Sequence, residues 1–439
     1  MLKVRLVSIA ACAVFALSPA RAFAQTSSSS NLVDLMKDFF LQSVVLSTTP
    51  GGGGVIAHQP IFATDPSVTP VTDLVQQISS QIGSQVETVP LGSSSGGFTY
   101  KYDSSLGTFK RSTDSFGPAF AERAVTIGKG KISVGMNYQH STYPTLDGKN
   151  LGNGDVAIFL PHQKIGNFVE GDMIEADLKM DLTSATTVMF GNFGVTDKLD
   201  VGVVVPLQHV NMNLTYHAII RDFATHAVSP DTHRFSNGQK TQDTSTSGSA
   251  TGIGDILLRG KYVFVSTETS GFGLGLDLRL PSGDADNMLG TGATQTQVYL
   301  IASGVRGKFG DHANIGYTFS SGGTNVSDQF NYVGGAEYAV TPKLTIVGDL
   351  VGRTFIDSKK LTDTSFQHSF QQGPTAAVET VTLDTVQLES ANINSVLGTA
   401  GFKFNPVGNL LVNAHLVVTL NDSGLHRGVT GVFGFDYSF

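Results

Sequence analysis

Cysteine and tryptophan are nearly missing from this chain, which has one cysteine and no tryptophan in 439 residues. The lone Cys12 lies in an apolar stretch near the N-terminus, so we expect the mature chain to have no disulfide, thiolate metal site or catalytic thiol. We also expect no metal site and no cofactor. After the first 24 residues, no apolar run approaches the roughly 18 residues that a membrane-spanning helix needs. A chain of this kind could span a membrane only as a closed β-barrel.

Basic residues are also few, with 28 Lys and Arg against 36 Asp and Glu. Because nucleic-acid binding needs a basic surface, this balance argues against a nucleic-acid partner. Lys3 and Arg5 precede an apolar run over 6–17, and Ala22-Phe23-Ala24 follows it. These are the three parts of a secretory signal peptide. We therefore expect residues 1–24 to be a signal peptide and the mature chain to be still more acidic.

The C-terminal stretch RGVTGVFGFDYSF alternates strictly between two kinds of residue. On an extended strand, Phe433, Phe435, Tyr437 and Phe439 fall on one face, and small or polar residues fall on the other. No further chain follows to cover the aromatic face, so we expect it to meet lipid. The stretch resembles the insertion signal of bacterial outer-membrane β-barrels. This resemblance implies recognition by the barrel-assembly machinery and a Gram-negative outer-membrane location.

Residues 25–128 do not show this alternation and form a separate region in our interpretation. Apolar residues at helical spacing over 32–40 follow Asn31, a plausible N-cap. Thr69-Pro70 begins a second predicted helix that ends near Ile82. Residues 96–112 predict a small hairpin. We expect a periplasmic or plug region of two short helices and a hairpin that fills the barrel, covers its periplasmic mouth or binds a partner.

From Lys131 onward, apolar and polar residues alternate persistently, and we predict a β-barrel over 129–439. The fold class is therefore all-β: a transmembrane antiparallel β-barrel of about 12 strands (12–14), preceded by a short helical and hairpin region. Short turns alternate with longer connections, of which 221–249 and 357–390 are predicted to be polar loops. The apolar phase switches near Pro206, which predicts a bulge. An even strand number places both termini in the periplasm.

Charged residues occupy the predicted inward phase of several strands. The candidates for the lumen or ligand path are Glu175, Asp177, Lys179, Asp255, Arg259, Asp277, Arg279, Asp349, Arg353 and His415. They could form a structural network that leaves no buried charge unpaired, or a charged constriction or ligand site. Both roles are compatible with one barrel.

Catalytic patterns are weak in this sequence. No G-x-S-x-G elbow is present, and the inward histidines His209, His217 and His415 are better explained as lumen residues than as catalytic ones. We therefore expect a protein that is not an enzyme. A barrel hydrolase remains a weak alternative, and a structural or adhesion barrel with a closed lumen is a stronger one.

Three motifs carry a resemblance to a known family. Residues 193–202 (FGVTDKLDVG) resemble a hairpin of the outer-membrane transporters of the phenol meta-pathway group. Residues 252–256 with Arg259 and Tyr262, and the turn at 278–284, are similar to the next elements of that group. The resemblance covers roughly 131–439, and the group looks like distant kin of the long-chain fatty-acid channels. It implies a channel for passive uptake of small hydrophobic or aromatic solutes, with outer-membrane lipid and a small-molecule solute as partners.

Overall fold

The computed structural model describes residues 31–42, 46, 81–83, 93–94, 97–103, 105, 108–161, 171–223, 233–323, 326–372 and 375–439. The predicted signal peptide lies outside the described residues, as does the second predicted helix except for residues 81–83, which are helical. In this part of the chain, no helix has the length and apolar content to cross a membrane.

The first element is the helix α1, Leu32–Gln42. As predicted, Asn31 caps it: the Asn31 Oδ1 accepts a hydrogen bond from the Asp34 amide at 2.7 Å. The predicted hairpin is also present. Apart from α1, the helical residues 81–83 and a short 3-10 turn at Ala285–Asn287, the regular elements of the described residues are strands. They are β1 Tyr100–Asp103, β2 Thr108–Arg111, β3 Ile132–Thr142, β4 Thr145–Leu146, β5 Lys149–Asn150, β6 Val156–Pro161, β7 Asp172–Gly194, β8 Leu199–Asp222, β9 Thr241–Ile253, β10 Leu257–Ser266, β11 Ser270–Arg279, β12 Ala293–Arg306, β13 Phe309–Gly322, β14 Gln329–Thr341, β15 Leu344–Gln371, β16 Val378–Val407, β17 Leu410–Thr419, β18 Leu425–His426 and β19 Thr430–Ser438.

Within the described residues, twelve of these strands form one closed antiparallel barrel. Neighbours in sequence pair from β10 through β17, β17 pairs with β19, and β19 pairs with β3. The ring closes where β7 pairs with both β3 and β8, and β8 pairs with β10. Closure leaves no free edge in the wall. The predicted fold class, an all-β antiparallel barrel of about 12 strands, is confirmed.

Large apolar side chains cover the outer face of this barrel. Leu300 is 55% exposed and Phe433 is 59% exposed, while the alternate positions on the same strands point into the lumen. Five short turns join the strands at one end, which we name the turn end; the longer connections lie at the opposite loop end. An apolar outer belt around a closed barrel is the pattern expected of strands surrounded by lipid.

The barrel wall continues beyond this belt at the loop end. There β6 and β9 pair with the far halves of β7 and β8 and make a four-stranded extension. Residues 357–390, predicted to be a loop, instead lengthen β15 and β16 into a paired hairpin. The predicted loop over 221–249 is likewise wrong in part, because β9 begins at Thr241. Both segments are rich in Ser and Thr on both faces, so they show no apolar periodicity from which a strand could be predicted. Backbone hydrogen bonds to a neighbouring strand stabilise them.

In the extension, the apolar and polar faces are exchanged relative to the belt. Even-numbered residues of β8 point inward along its whole length, and its register with β7 shows no shift at Pro206. The predicted bulge is therefore wrong. Val203 meets the outside in the belt, whereas Met212 and Tyr216 are buried inside the extension. The apolar residues of β8 change from the outer to the inner face because lipid surrounds the belt and water surrounds the extension. The strand itself stays regular. Pro206, which has no N–H to donate, lies where the partner of β8 changes from β10 to β9.

The helix α1 fills the apolar interior of the extension. Its buried residues Leu32, Leu35, Met36 and Phe39 pack in one cluster with inward residues of β7 and β8. The Phe39 ring meets the Tyr216 ring edge-on, with 5.9 Å between centroids. The Leu32 amide donates to the Asn287 Oδ1 at 3.1 Å. The first described segment of the chain therefore lies inside the loop end of the barrel.

Candidate functional site: the barrel lumen

A strand-free segment, residues 113–128, crosses the lumen near the turn end, and we name it the strap. Side chains of the barrel wall satisfy its backbone, as buried amides require. The Phe116 amide donates to the Thr345 Oγ1 at 3.0 Å, the Ala124 amide donates to the Ser303 Oγ at 3.0 Å, and the Ile127 amide donates to the Asp200 Oδ2 at 3.1 Å. Strands on several sides of the barrel thus hold the strap.

Asp349 is one centre of this network. Its Oδ2 accepts hydrogen bonds from the Ala119 and Phe120 amides at 3.1 and 2.8 Å. The His312 ring bridges two carboxylates: its Nε2 lies 2.7 Å from the Asp349 Oδ1, and its Nδ1 lies 2.8 Å from the Glu337 Oε2. All three side chains are buried. The strap is therefore tied to β13, β14 and β15 at one point.

Glu337 also accepts from the strap itself. The Arg123 Nη1 lies 3.6 Å from the Glu337 Oε1, and the Ser115 Oγ donates to the same oxygen at 3.2 Å. Arg123 is 1% exposed. A buried guanidinium is stable only when carboxylates and hydrogen-bond acceptors surround it. The buried position of Arg123 shows that polar side chains of the strap and of the barrel wall pack together inside the lumen.

Glu122 is the second centre of the network. Its Oε1 lies 2.9 Å from the Arg259 Nη1, and its Oε2 lies 3.2 Å from the Lys261 Nζ. The Ser94 amide and hydroxyl donate to the same carboxylate at 2.6 and 2.7 Å. Arg259 in turn forms a forked pair with Asp277, with the Arg259 Nη2 2.7 Å from the Asp277 Oδ2. The buried charges of Glu122, Arg259, Lys261 and Asp277 therefore neutralise one another beside the strap.

A cavity of about 110 Å³ lies beside the strap on the side toward the loop end. Phe120 and Glu122 of the strap line it, together with inward residues of β10 through β15. Its charged lining groups are Glu122, Arg259, Asp277, Arg279 and Arg353. Amide and hydroxyl side chains such as Gln295 and Thr318, and apolar ones such as Val351, complete the wall. The cavity can hold a small molecule that has both an apolar and a polar part.

The structure places the ten predicted lumen residues in four different settings. Arg259, Asp277, Arg279, Asp349 and Arg353 do lie in the lumen, and four of them line the cavity. His415 is buried beside the strap: its ring lies 6.1 Å from the Phe120 ring and against Gly401. Asp255 instead anchors a loop, since it accepts from the Gly283 and Thr291 amides.

The lumen assignment of Glu175, Asp177 and Lys179 is wrong. They lie on the outer face of the extension, opposite buried Ile174, Ala176 and Leu178. Glu175 forms an ion pair there with Arg221. The physical reason is the exchange of faces described above: beyond the belt, water lies outside the wall and α1 lies inside it, so the charged face turns outward.

Several residues of the network were missed by sequence reasoning. Glu122 and Arg123 belong to a stretch with no strand pattern, and His312 is not among the predicted lumen residues. Asn314 and Glu337 were not distinguished from other polar inward positions. The one available signal was the adjacent pair of opposite charges at 122–123 in a segment otherwise poor in charge.

The predicted insertion residues lie on the outer face of the last strand. Phe433, Phe435, Tyr437 and Phe439 are all exposed, and the Tyr437 and Phe439 rings meet at 4.8 Å between centroids. The Phe439 amide donates to the Ile132 carbonyl oxygen at 2.8 Å, which joins the last residue to the first barrel strand. Their part in insertion remains a prediction.

A closed antiparallel barrel with an apolar belt, and with a charged lumen narrowed by its own strap, is an integral outer-membrane protein of the β-barrel class. The family named for the MetA-pathway of phenol degradation matches residues 160–385, more than half of the chain, and the chain belongs to this family. The resemblance drawn from residues 193–202, 252–256 and 278–284 is thereby confirmed. A comparison with curated protein sequences finds no match.

Solved outer-membrane barrels are similar at low identity. The COG4313 outer membrane channel from Pseudomonas putida F1 is 14% identical over 72% of this chain and 98% of its own, with a TM-score of 0.42. A Pseudomonas aeruginosa FadL homologue is 12% identical over 80% of this chain and 98% of its own, with a TM-score of 0.32. The Ralstonia pickettii toluene transporter TbuX is 13% identical over 71% of this chain and 90% of its own, with a TM-score of 0.28.

Proposed function

We propose that this protein is an outer-membrane channel for passive uptake of small hydrophobic or aromatic solutes. The observation that carries the proposal is the cavity between the strap and the loop end, which combines Phe120, Leu257 and Val351 with polar groups. Its volume of about 110 Å³ is of the order of the engineered ~150 Å³ cavity that binds benzene in another protein. Membership of a family named for phenol degradation supports the same solute class.

The solute route in this proposal begins in the apolar extension and ends past the strap. Passage past α1 requires the helix to move, since its apolar face now occupies the extension. The strap is bound to the wall at many points, so we take it as a fixed constriction. Diffusion down a gradient then needs no cofactor and no energy source, which fits a channel rather than an enzyme.

The proposed orientation places the turn end and the C-terminus in the periplasm. The predicted periplasmic N-terminus does not fit this orientation, because α1 lies inside the loop end. Short turns on the periplasmic side and longer connections outside are the rule for bacterial barrels. The last strand would then present Phe435, Tyr437 and Phe439 to lipid and to the barrel-assembly machinery. Residues 25–128 would form the region that closes the barrel from within, with 129–439 as the barrel and 1–24 as the signal peptide.

A disulfide lock tests the route directly. An added Cβ at Gly248 would lie 2.5 Å from the Leu35 Cδ2, so α1 and β9 are close at this point. The double variant Leu35→Cys/Gly248→Cys should tie α1 to the wall when oxidised. We expect oxidation to reduce uptake of radiolabelled phenol by cells that carry the protein, and a reductant to restore it. The two single variants are the controls. Equal uptake by cells with and without the protein would overturn the channel proposal.

A structural or adhesion barrel with a closed lumen is the second candidate. The observation that favours it is the network of buried charges that binds the strap to the barrel wall. In such a barrel the charges at Glu122, Arg123 and Glu337 would only fill the interior. Deletion of residues 25–115 distinguishes the two: ion conductance should rise if this region narrows a channel, and it should stay near zero if the wall residues themselves close the lumen.

The hydrolase alternative receives little support from His415. Among the described residues its Nδ1 has no hydrogen-bond partner, and its near neighbours are Phe120 and Gly401. A general base needs a nucleophile within hydrogen-bond reach. We expect His415→Ala to leave any background lipid hydrolysis unchanged, and hydrolysis that depends on His415 would reverse this assignment.

A further inference from the structure

Carboxamide side chains are concentrated on one wall of the main cavity. This wall is formed by the neighbouring strands β12, β13 and β14, and its carboxamide residues are Gln295, Gln297, Asn314, Gln329 and Asn331. Among the described residues, no charged side chain of these three strands lines the cavity. A carboxamide has both hydrogen-bond donors and an acceptor and carries no charge. The wall is therefore polar and neutral.

Three of these five carboxamides are used within the protein. The Gln295 Nε2 donates to the Ser320 Oγ at 3.3 Å, and the Asn331 Nδ2 donates to the Thr318 Oγ1 at 2.8 Å. Asn314 binds the backbone of the strap. These bonds fix part of the wall and leave Gln297 and Gln329 as the other two.

Gln297 and Gln329 have amide groups that are open to the cavity. Across the residues that the structure describes, no side-chain or backbone group forms a hydrogen bond with either amide. Their polar atoms are also not enclosed by protein, unlike a buried unpaired atom such as the Gln139 Nε2. Since both residues line the cavity, the space that their amides reach is the cavity itself. Gln329 is only 3% exposed overall, so its surroundings are otherwise filled by protein.

The two glutamines lie close enough to act on one group. Thr318 is the register partner of both, so their strands are two spacings, or about 10 Å, apart. Two extended glutamine side chains can meet over that distance in front of Thr318. Tyr299 follows Gln297 by two residues on β12, and Val333 follows Gln329 by four residues on β14; both also line the cavity. A neutral polar end and a less polar end thus belong to one cavity.

The charged groups of the cavity have partners within the protein. Arg259 forms ion pairs with Glu122 and Asp277, and Arg279 and Arg353 also interact with protein groups. The polar groups that remain open to a solute are therefore neutral amides. A hydroxyl group can donate to one amide oxygen and accept from the other amide nitrogen. A hydrocarbon would leave both amides without a partner, which costs free energy.

We propose that Gln297 and Gln329 form a subsite for the hydroxyl group of a neutral hydroxylated aromatic solute, whose ring lies against Tyr299 and Val333. The inference rests on the proposed channel function and narrows its solute class from aromatic compounds in general to phenols. A solute of this kind would pause at the subsite before it passes the strap.

Binding of phenol and toluene tests the subsite, because the two molecules have nearly the same shape and differ in a hydroxyl or a methyl group. Titration calorimetry on the full-length mature protein in detergent, with protein-free detergent as the blank, should give about tenfold tighter binding for phenol. The double variant Gln297→Leu/Gln329→Leu should remove this preference by weakening phenol binding. Each single variant should lower the preference by part of that amount. Gln367→Leu, at an exposed position of β15, is the matched control.

The outcomes separate the subsite from the channel. Equal affinities for phenol and toluene, or a phenol preference that all three glutamine variants keep, would overturn the subsite. Equal uptake of both solutes by cells that carry the protein, above that of cells without it, would likewise overturn the subsite and leave the channel standing. A phenol preference that depends on Gln297 and Gln329, with no uptake of either solute through the protein, would support the subsite and overturn the channel. A heat-modifiable band on gels shows that each variant is folded.

Discussion

The Asn314 side chain forms hydrogen bonds with both the amide and the carbonyl group of Glu122. The Glu122 amide donates to the Asn314 Oδ1 at 2.7 Å, and the Asn314 Nδ2 donates to the Glu122 carbonyl oxygen at 2.9 Å. This is the pairing that a neighbouring strand would offer, supplied here by one side chain. It fixes the strap at the residue whose carboxylate neutralises Arg259 and Lys261, and it places Phe120 and Glu122 at the edge of the cavity.

Removing this clamp should loosen the strap. In Asn314→Ala the amide and carbonyl of Glu122 lose their partners, so the strap should leave the wall more often. We expect larger and noisier single-channel conductance than in the wild type. Asn153→Ala, at an exposed loop position, should conduct as the wild type does. An unchanged conductance in Asn314→Ala would show that the strap does not narrow the ion path.

The Glu122 carboxylate should contribute to the free energy of unfolding of the barrel as well as to the position of the strap. Glu122→Gln leaves Arg259 and Lys261 buried with one compensating charge fewer, and removal of one partner of a buried pair costs about 3 kcal/mol. We expect a loss of that order in the free energy of unfolding, measured by urea titration in detergent. Glu268→Gln, in an exposed turn, should change it by less than about 0.5 kcal/mol.

A second substitution tests the reason for that loss. Lys261→Met in the Glu122→Gln background removes one of the two buried charges that Glu122 neutralised. If uncompensated charge causes the loss, the double variant should be more stable than Glu122→Gln alone. A double variant that is less stable would show that Lys261 acts through other contacts.

The Tyr299 ring depends on a glycine in the next strand. Gly275 is the register partner of Tyr299, and an added Cβ there would lie 2.1 Å from the Tyr299 Cζ. Gly275→Ala should therefore push the ring into the lumen, break the Tyr299–Asp277 hydrogen bond of 3.2 Å and narrow the cavity. We expect a loss of about 1–3 kcal/mol in the free energy of unfolding and lower phenol uptake. The control is Gly260→Ala, where the nearest atom would be 3.9 Å away.

Asp147 should make the loop end sensitive to pH. Burial raises its pKa above the ordinary value of 3.8, although the Leu361 and Gly424 amides donate to its carboxylate at 2.9 and 2.7 Å. A raised pKa means that the folded protein favours the protonated form. The contacts that join Asp147 to the segments around Leu361 and Gly424 should therefore be strongest at low pH. They should weaken as the pH rises through the raised pKa of Asp147.

Hydrogen exchange of the Leu361 and Gly424 amides measures this effect. Their protection, corrected for intrinsic exchange, should fall as the pH rises above about 4. Asp147→Asn should remove that dependence, because its side chain does not titrate, although its one oxygen can accept from only one of the two amides. Asp197→Asn at the turn end should behave as the wild type does. Protection in the wild type that is constant or rises with pH would contradict the account.

The sequence predicted the belt well and the extension badly, for one physical reason. In the belt, lipid lies outside, so residues such as Leu274 and Phe433 mark the outer face unambiguously. In the extension, water lies outside and α1 lies inside, so the same alternation has the opposite meaning at Ile174 and Met212. Nothing in the local sequence states which medium surrounds a strand. The strap network was beyond reach because Glu122 meets its partners on the barrel wall 137 to 192 positions away.

The central claim is that the lumen of this barrel is a narrow solute path, and single-channel conductance of the full mature protein in planar bilayers tests it most directly. We predict a small, steady conductance that phenol or an alkanoate reduces reversibly, because the solute occupies the cavity beside the strap. A folded and inserted barrel that stays silent, with or without these compounds, would contradict the claim and favour a lumen that is closed by its own charges.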